Sequence, residues 1–233
     1  MNGQPMNADK VFDVGYSLKS PGKSDNNWVQ LSVTLDTFTA AMVMDIGKQS
    51  YDTRHLIGKK FEMHLPPKGG EIKISAPAEI PELDLGEMAG GSVGIDEFIK
   101  YGFPALSVQQ VKKGAKWNAA FQRTQLEGSI HVTAKMEEVY RLAGYETVDD
   151  LACVKIESQI KGILNGSESQ YGSQWTYTGK LKGKATWYFS YEEGLLVKLI
   201  SNETTEGTIS TQGENAVSVP TKQKTKVEIR LRR

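Results

Sequence analysis

"WVQLSVTLD", residues 28–36, alternates without a break. Val29, Leu31, Val33 and Leu35 fall on one side; Gln30, Ser32 and Thr34 fall on the other. A period of two makes an extended strand with one apolar face, whereas an amphipathic helix needs a period of 3.6. "TFTAAMVMDI" (37–46) continues the pattern with Phe38, Met42 and Met44 on one face. "FEMHL" (61–65) repeats it with Phe61, Met63 and Leu65. A chain built from such segments must cover its apolar face with a second layer or curl upon itself.

The rest of the chain follows the same rule. "VFDVGYSLK" (11–19) reads as a first strand, after a polar start over residues 1–10 that should be flexible. "SPGKSDNN" (20–27) and "PPKGG" (66–70) carry turn chemistry. "KWNAAFQRTQLEG" and "SIHVTAKM" form a hairpin about Gly128. "DLACVKIESQIKGIL" (150–164) sets Ala152, Val154 and Ile156 against Cys153, Lys155 and Glu157. "KGKATWYFSYEEGLLVKLISNETTEGTI" (182–209) is two strands about a Glu-Glu-Gly turn, with Trp187 and Phe189 on one face. Residues 75–104 break the rhythm with Pro and Gly and read as an irregular connection or lid. Two stretches have helical spacing: "IDEFIKYGFP" (95–104), with Ile95, Phe98 and Ile99, and "MEEVYRLAG" (136–144), with Met136, Val139 and Tyr140.

About ten or eleven strands in sequence, with few helices long enough for crossovers, favour antiparallel pairing. The expected fold is mainly β: one domain over residues 11–233, a long curved antiparallel sheet. It forms a half-barrel or a barrel, with one or two short helices as a lid. Apolar residues make up 39% with Tyr counted and Gly left out. That is enough for a core.

Lys plus Arg equals Asp plus Glu at 28 each, which argues against a nucleic-acid partner. A single cysteine, Cys153, excludes an internal disulfide and Cys-cluster zinc sites. On the alternation above, Cys153 faces outward as an inert thiol. No run is long and apolar enough for a transmembrane helix.

Motifs for chemistry are sparse. His55, His64 and His131 lack metal-binding spacing, and no GxSxG elbow or P-loop occurs. Asp149-Asp150, Glu192-Glu193 and Asp96-Glu97 sit beside turns or helix starts, where solvation explains them. No catalytic constellation, metal or cofactor is implied, so the chain reads as a non-enzyme. A hydrolase using Asp52 and His55 is a distant third reading. The aromatic and methionine residues Trp28, Phe38, Met42, Trp117, Trp187 and Phe189 either fill a core or line an apolar ligand cavity. The last strand, "TKQKTKVEIRLRR", aligns Lys222, Lys224, Lys226, Arg230 and Arg232 on one face. That strip is either a lysine-guarded edge or solvent face, or a surface for a partner or a lipid headgroup.

Four phrases resemble an uncharacterised family of exported bacterial proteins and lipoproteins, a domain of unknown function. They are "LIGKKFEMHLPPKGGEIKI" (56–74), "FPALSVQQVKKGAKWNAAF" (103–121) with Pro104, Gly114 and Trp117, "GYETVDDLACVKIES" (144–158), and the 182–209 hairpin. "VDDLA" departs from that pattern by lacking a glycine at its turn. The resemblance implies a protein outside the cytoplasm, in the periplasm or cell envelope, and carries over no catalytic residue. A cytoplasmic location is the alternative on composition alone. By shape the expected fold is similar to the half-barrels of periplasmic lipoprotein carriers. The leading expectation is therefore an apolar ligand or lipid bound in a curved sheet; the alternative is a structural or protein-interaction module of the envelope.

Overall fold

A computed structural model of the chain describes residues 6–23, 28–44, 47–65, 73–75, 82–84, 92–95, 99, 102–127, 130–170, 173–190, 192, 195–212 and 216–231. The strands are β1 (Met6–Lys23), β2 (Val29–Met44), β3 (Gly47–Ser50), β4 (Lys60–Leu65), β5 (Lys73–Ser75), β6 (Glu82–Asp84) and β7 (Ser92–Gly94). They continue with β8 (Lys116–Glu127), β9 (Ile130–Val148), β10 (Leu151–Gln170), β11 (Ser173–Ser190), β12 (Leu195–Thr211) and β13 (Ser218–Leu231).

Eleven of them form one sheet in the order β5-β4-β2-β1-β13-β12-β11-β10-β9-β8, with β3 added beside β4 on β2. The path is open, so the sheet is curved but not closed into a barrel. Neighbours run antiparallel with one exception: β1 and β13 are parallel, joining the two ends of the chain in mid-sheet. The expected antiparallel pairing holds along the rest of the sheet, and this one pair makes the sheet mixed. Met6–Lys10, expected within the flexible start, lie in β1 and pair with β13. β13 is flanked by β1 and β12, so its lysines do not guard an edge.

Inward-facing residues set the curvature. On β9 the even positions Ile130, Val132, Ala134, Met136, Glu138, Tyr140 and Leu142 are all buried. The helix expected over 136–144 is therefore strand. Its apparent helical spacing arose because Glu138, a carboxylate, occupies an inward position and hides the alternation. On β8 the register places Arg123 opposite Ala134, on the same inward face. Its Nη2 lies 3.4 Å from Glu203 Oε2 on β12. Four strand steps separate β8 from β12, about 19 Å in a flat sheet at ~4.8 Å per step. Those two side chains meet only because β8–β12 curl toward the inward face.

β10 has 20 residues and reaches about 66 Å at ~3.3 Å per residue, far beyond ordinary strands of 3–10. A sheet this tall holds two cores on one face. The larger includes Phe12 and Val14 of β1, Val33 and Leu35 of β2, and Phe61, Trp187 and Leu196. The smaller, inside the β8–β12 curl, holds Val132, Met136, Leu164, Tyr177 and Leu181. Cys153 faces away from Val154 and Ile156, as the alternation has it, but is buried there with Leu151 and Val197 in a third small cluster. A register shift opposite Lys155 and Ile156 leaves Ala143 of β9 as an extra residue, while Val154 and Ile156 of β10 keep to one face.

The connection between β5 and β8 crosses the larger core. Leu83, Ile95 and Ile99 are buried in it, with Phe103, Ala105 and Val111 packed beside them. Ile95 and Ile99 have helical backbone and stand at the four-residue spacing expected of them. Phe98 lies outside the described residues.

Candidate functional site

The covering segment and the sheet enclose one apolar slot. Its walls are Val14 and Tyr16 of β1, Val33, Leu35 and Phe38 of β2, Leu196 and Ile229 from the sheet's centre, and Ile95, Ile99, Gly102 and Phe103 from the cover. The residues follow from strand parity, with one extra residue on β2 at Asp36 that brings Phe38 to the same face as Val33 and Leu35. The volume open to a water molecule is ≈ 20 Å³. That holds about one water. Binding pockets for small molecules run to roughly 300–1,000 Å³. The slot as it stands is closed.

Two hydroxyls at its margins are satisfied by the fold. Tyr16 Oη donates to the Leu196 carbonyl at 2.7 Å, tying β1 to β12 across β13. Burial holds its phenol well above the usual range. Thr53 Oγ1 donates to the Phe38 carbonyl at 2.5 Å. Two further bonds fasten the cover. Trp117 Nε1 donates to the Ala105 carbonyl at 2.6 Å, and His55 Nε2 lies 3.1 Å from the Glu82 carbonyl. At its end Gly114 N donates to the Leu142 carbonyl at 2.8 Å and Leu142 N to the Ala115 carbonyl at 3.1 Å, and apolar packing adds to these bonds.

Of the six expected ligand residues, Phe38 lines the slot. Met42 and Trp187 are core residues, 1% and 4% exposed. Trp117 stacks on Tyr140 with ring centroids 5.6 Å apart, and Tyr140 is 5.6 Å from Trp187, so these rings form a wall beside the slot. Phe189 packs partly buried on the same core. Trp28 stands at the start of β2 under the ammonium of Lys73, 5.3 Å from its ring centroid. The basic strip of β13 splits. Lys222, Lys224 and Lys226 pair with β12, and Lys222 bonds Glu206 at 2.8 Å. Arg230 is taken up by Glu228 beside it. Arg232 lies outside the described residues.

A buried polar cluster went unseen in the sequence. Glu138 is 6% exposed and accepts from Tyr140 Oη at 2.6 Å and from Ser158 Oγ. Burial raises its pKa; the two hydroxyl donors pull it down, and Glu203 raises it again. Burial and then Glu138 itself raise Tyr140. Neither Glu138 nor Ser158 lines the slot. The pair therefore has no route to a substrate there and acts as a polar seam between the two cores. The signal for it was Glu138 itself, a carboxylate in step with Met136 and Tyr140.

Asp52 and His55 each have another partner. The Arg54 guanidinium bonds the Asp52 carboxylate and holds it well below the usual carboxylate range. The His55 ring is engaged with Glu82. His131 meets Glu168 at 3.0 Å on the exposed face. Among the described residues, no three His, Cys, Asp or Glu side chains come together as a metal site. No known protein family, curated protein or solved structure matches the chain.

Proposed function

We propose that this protein carries an apolar ligand, a lipid acyl chain, between its curved sheet and the segment that crosses it. The observation that supports this is the slot: eleven lining residues meet at a joint, and side chains hold it shut. Magnitudes favour a long chain. Leu83, Ile95 and Ile99 are buried by the cover. At roughly 1.5–3 kcal/mol each, they hold it down by about 5–9 kcal/mol. A bound chain of about twelve methylenes contributes about 10 kcal/mol at ~0.8 kcal/mol per methylene. A long acyl chain therefore offsets the loss of those three contacts, and a small apolar molecule does not. A position outside the cytoplasm belongs to the same reading and is supported by the phrases that resemble exported proteins. Fractionating cells and sequencing the protein's N-terminus in each fraction tests it.

Native mass spectrometry of gently purified protein tests the ligand. The expected result is a species heavier by one lipid, lost after organic extraction. Ile99→Phe, which fills the slot from the cover side, should appear at its bare mass. A wild-type protein that stays at its bare mass after incubation with long-chain lipids contradicts the proposal.

A further inference from the structure

We propose that the outward face over β11–β13 docks on an anionic phospholipid bilayer. The inference is independent of whether the slot takes a ligand. It begins with register. Lys182 pairs across β12 with Thr204, which pairs with Lys224; Lys184 and Lys226 flank Asn202 in the same way. Lys180 and Lys222 flank Glu206 in the next row. Six lysines of two strands thus form a lattice, ~7 Å apart along each strand and ~9.5 Å apart between the strands. The lattice continues outward: Lys161 on β10 stands directly opposite Lys182, and Lys135 on β9 occupies the row of Lys180.

Three carboxylates share these rows among the described residues: Asp9, Glu137 and Glu206. A chain with no net charge therefore concentrates a positive excess on one face. Like charges directly opposite each other destabilise a sheet. The Lys161–Lys182 pair is a cost that the fold itself does not require.

The chemistry of the face selects the partner. Its cations are lysines, point charges without the bidentate fork of arginine, which suits phosphate groups in no fixed orientation. The three rows present no aromatic ring among the described residues, whereas single-stranded nucleic acid is held by stacking. Aliphatic side chains stand exposed among the lysines instead. Ile163 is 59% exposed and lies opposite both Lys135 and Lys180; Val11 is 40% exposed and lies opposite Lys226. Lysines over phosphates with an aliphatic between them match the headgroup–acyl boundary of a bilayer.

Co-sedimentation with vesicles tests this. Wild-type protein should bind phosphatidylglycerol-containing vesicles, leave pure phosphatidylcholine vesicles alone, and be released by high salt. Replacing Lys180, Lys182 and Lys184 by Gln should weaken partitioning on the order of a hundredfold, and so should replacing Lys222, Lys224 and Lys226. Ile163→Ser should weaken it severalfold at unchanged charge. Lys112→Gln with Lys113→Gln, elsewhere on the surface, should leave it unchanged. Each variant's thermal melt checks its fold. Wild-type protein that ignores anionic vesicles, triple variants that bind like wild type, or tighter binding to duplex DNA or an acidic protein than to vesicles would overturn the proposal.

Discussion

Glu138 shows how one residue can mislead a reading and reveal a seam. Its carboxylate sits between two apolar clusters, and burial lifts its pKa from the ordinary 4.5. A carboxyl raised in the folded state binds its proton more tightly there than in the unfolded chain. Its contribution to stability is present at acid pH and is lost as pH climbs through the folded value. Glu138→Gln removes that dependence, so wild-type stability should fall relative to the variant as pH rises above the ordinary carboxylate value of 4.5. Urea unfolding across that range reads the difference; parallel curves for the two proteins would refute the assignment. Gly207 makes a second point at this scale. Tyr177 lies over it, and a Cβ there would come within 2.5 Å of the Tyr177 Cζ. Gly207→Ala should therefore cost about 1–3 kcal/mol by denaturant melt, since a buried ring must shift. The sequence offers a glycine on an alternating strand but not the ring that crosses it.

Among elements, β4 was legible because its alternation is uninterrupted, and β2 because its alternation breaks once, between Leu35 and Phe38, with long regular pieces on both sides. β9 was legible in its first part, "SIHVTAKM", and lost beyond it, because Glu138 breaks its apolar row. β10 was legible as a strand and its two faces were assigned correctly, but the cover over Cys153 was not, because Val197 and Leu151 meet it only in the fold. The β9–β10 turn explains the missing glycine of "VDDLA". Asp149 and Asp150 take φ of 48° and 62°, the two left-handed positions of a tight hairpin turn. Aspartate tolerates this conformation better than most residues, yet glycine carries no strain there. Asp150→Gly should raise stability by up to about 1 kcal/mol, measured as a higher urea midpoint. The covering segment is the element whose motion the proposed function needs. Ile99→Ala removes one of its anchors and should weaken its hold by about 2–5 kcal/mol. Amides of residues 105–115 should then exchange faster while those of β10 and β11 hold their protection. Uniformly faster exchange would mean that the cover and sheet open as one unit.

For the whole molecule, the sequence supports a curved, mainly β sheet with an irregular connection across it. The order of strands was not legible, since pairing β1 with β13 in parallel depends on contacts between the two ends of the chain. The curl was hidden for the same reason: it rests on groups as distant as Arg123 and Glu203. The charged face followed neither from the last strand alone nor from composition, because it appears only when β11 and β13 stand two steps apart. The central claim concerns the slot, and a titration tests it most directly. Delipidated protein is titrated with a fluorescent long-chain fatty acid, beside the Ile99→Phe variant. The account predicts saturation at one equivalent for the wild type and loss of binding in the variant. Absence of saturable binding, or equal binding by both proteins, would contradict it.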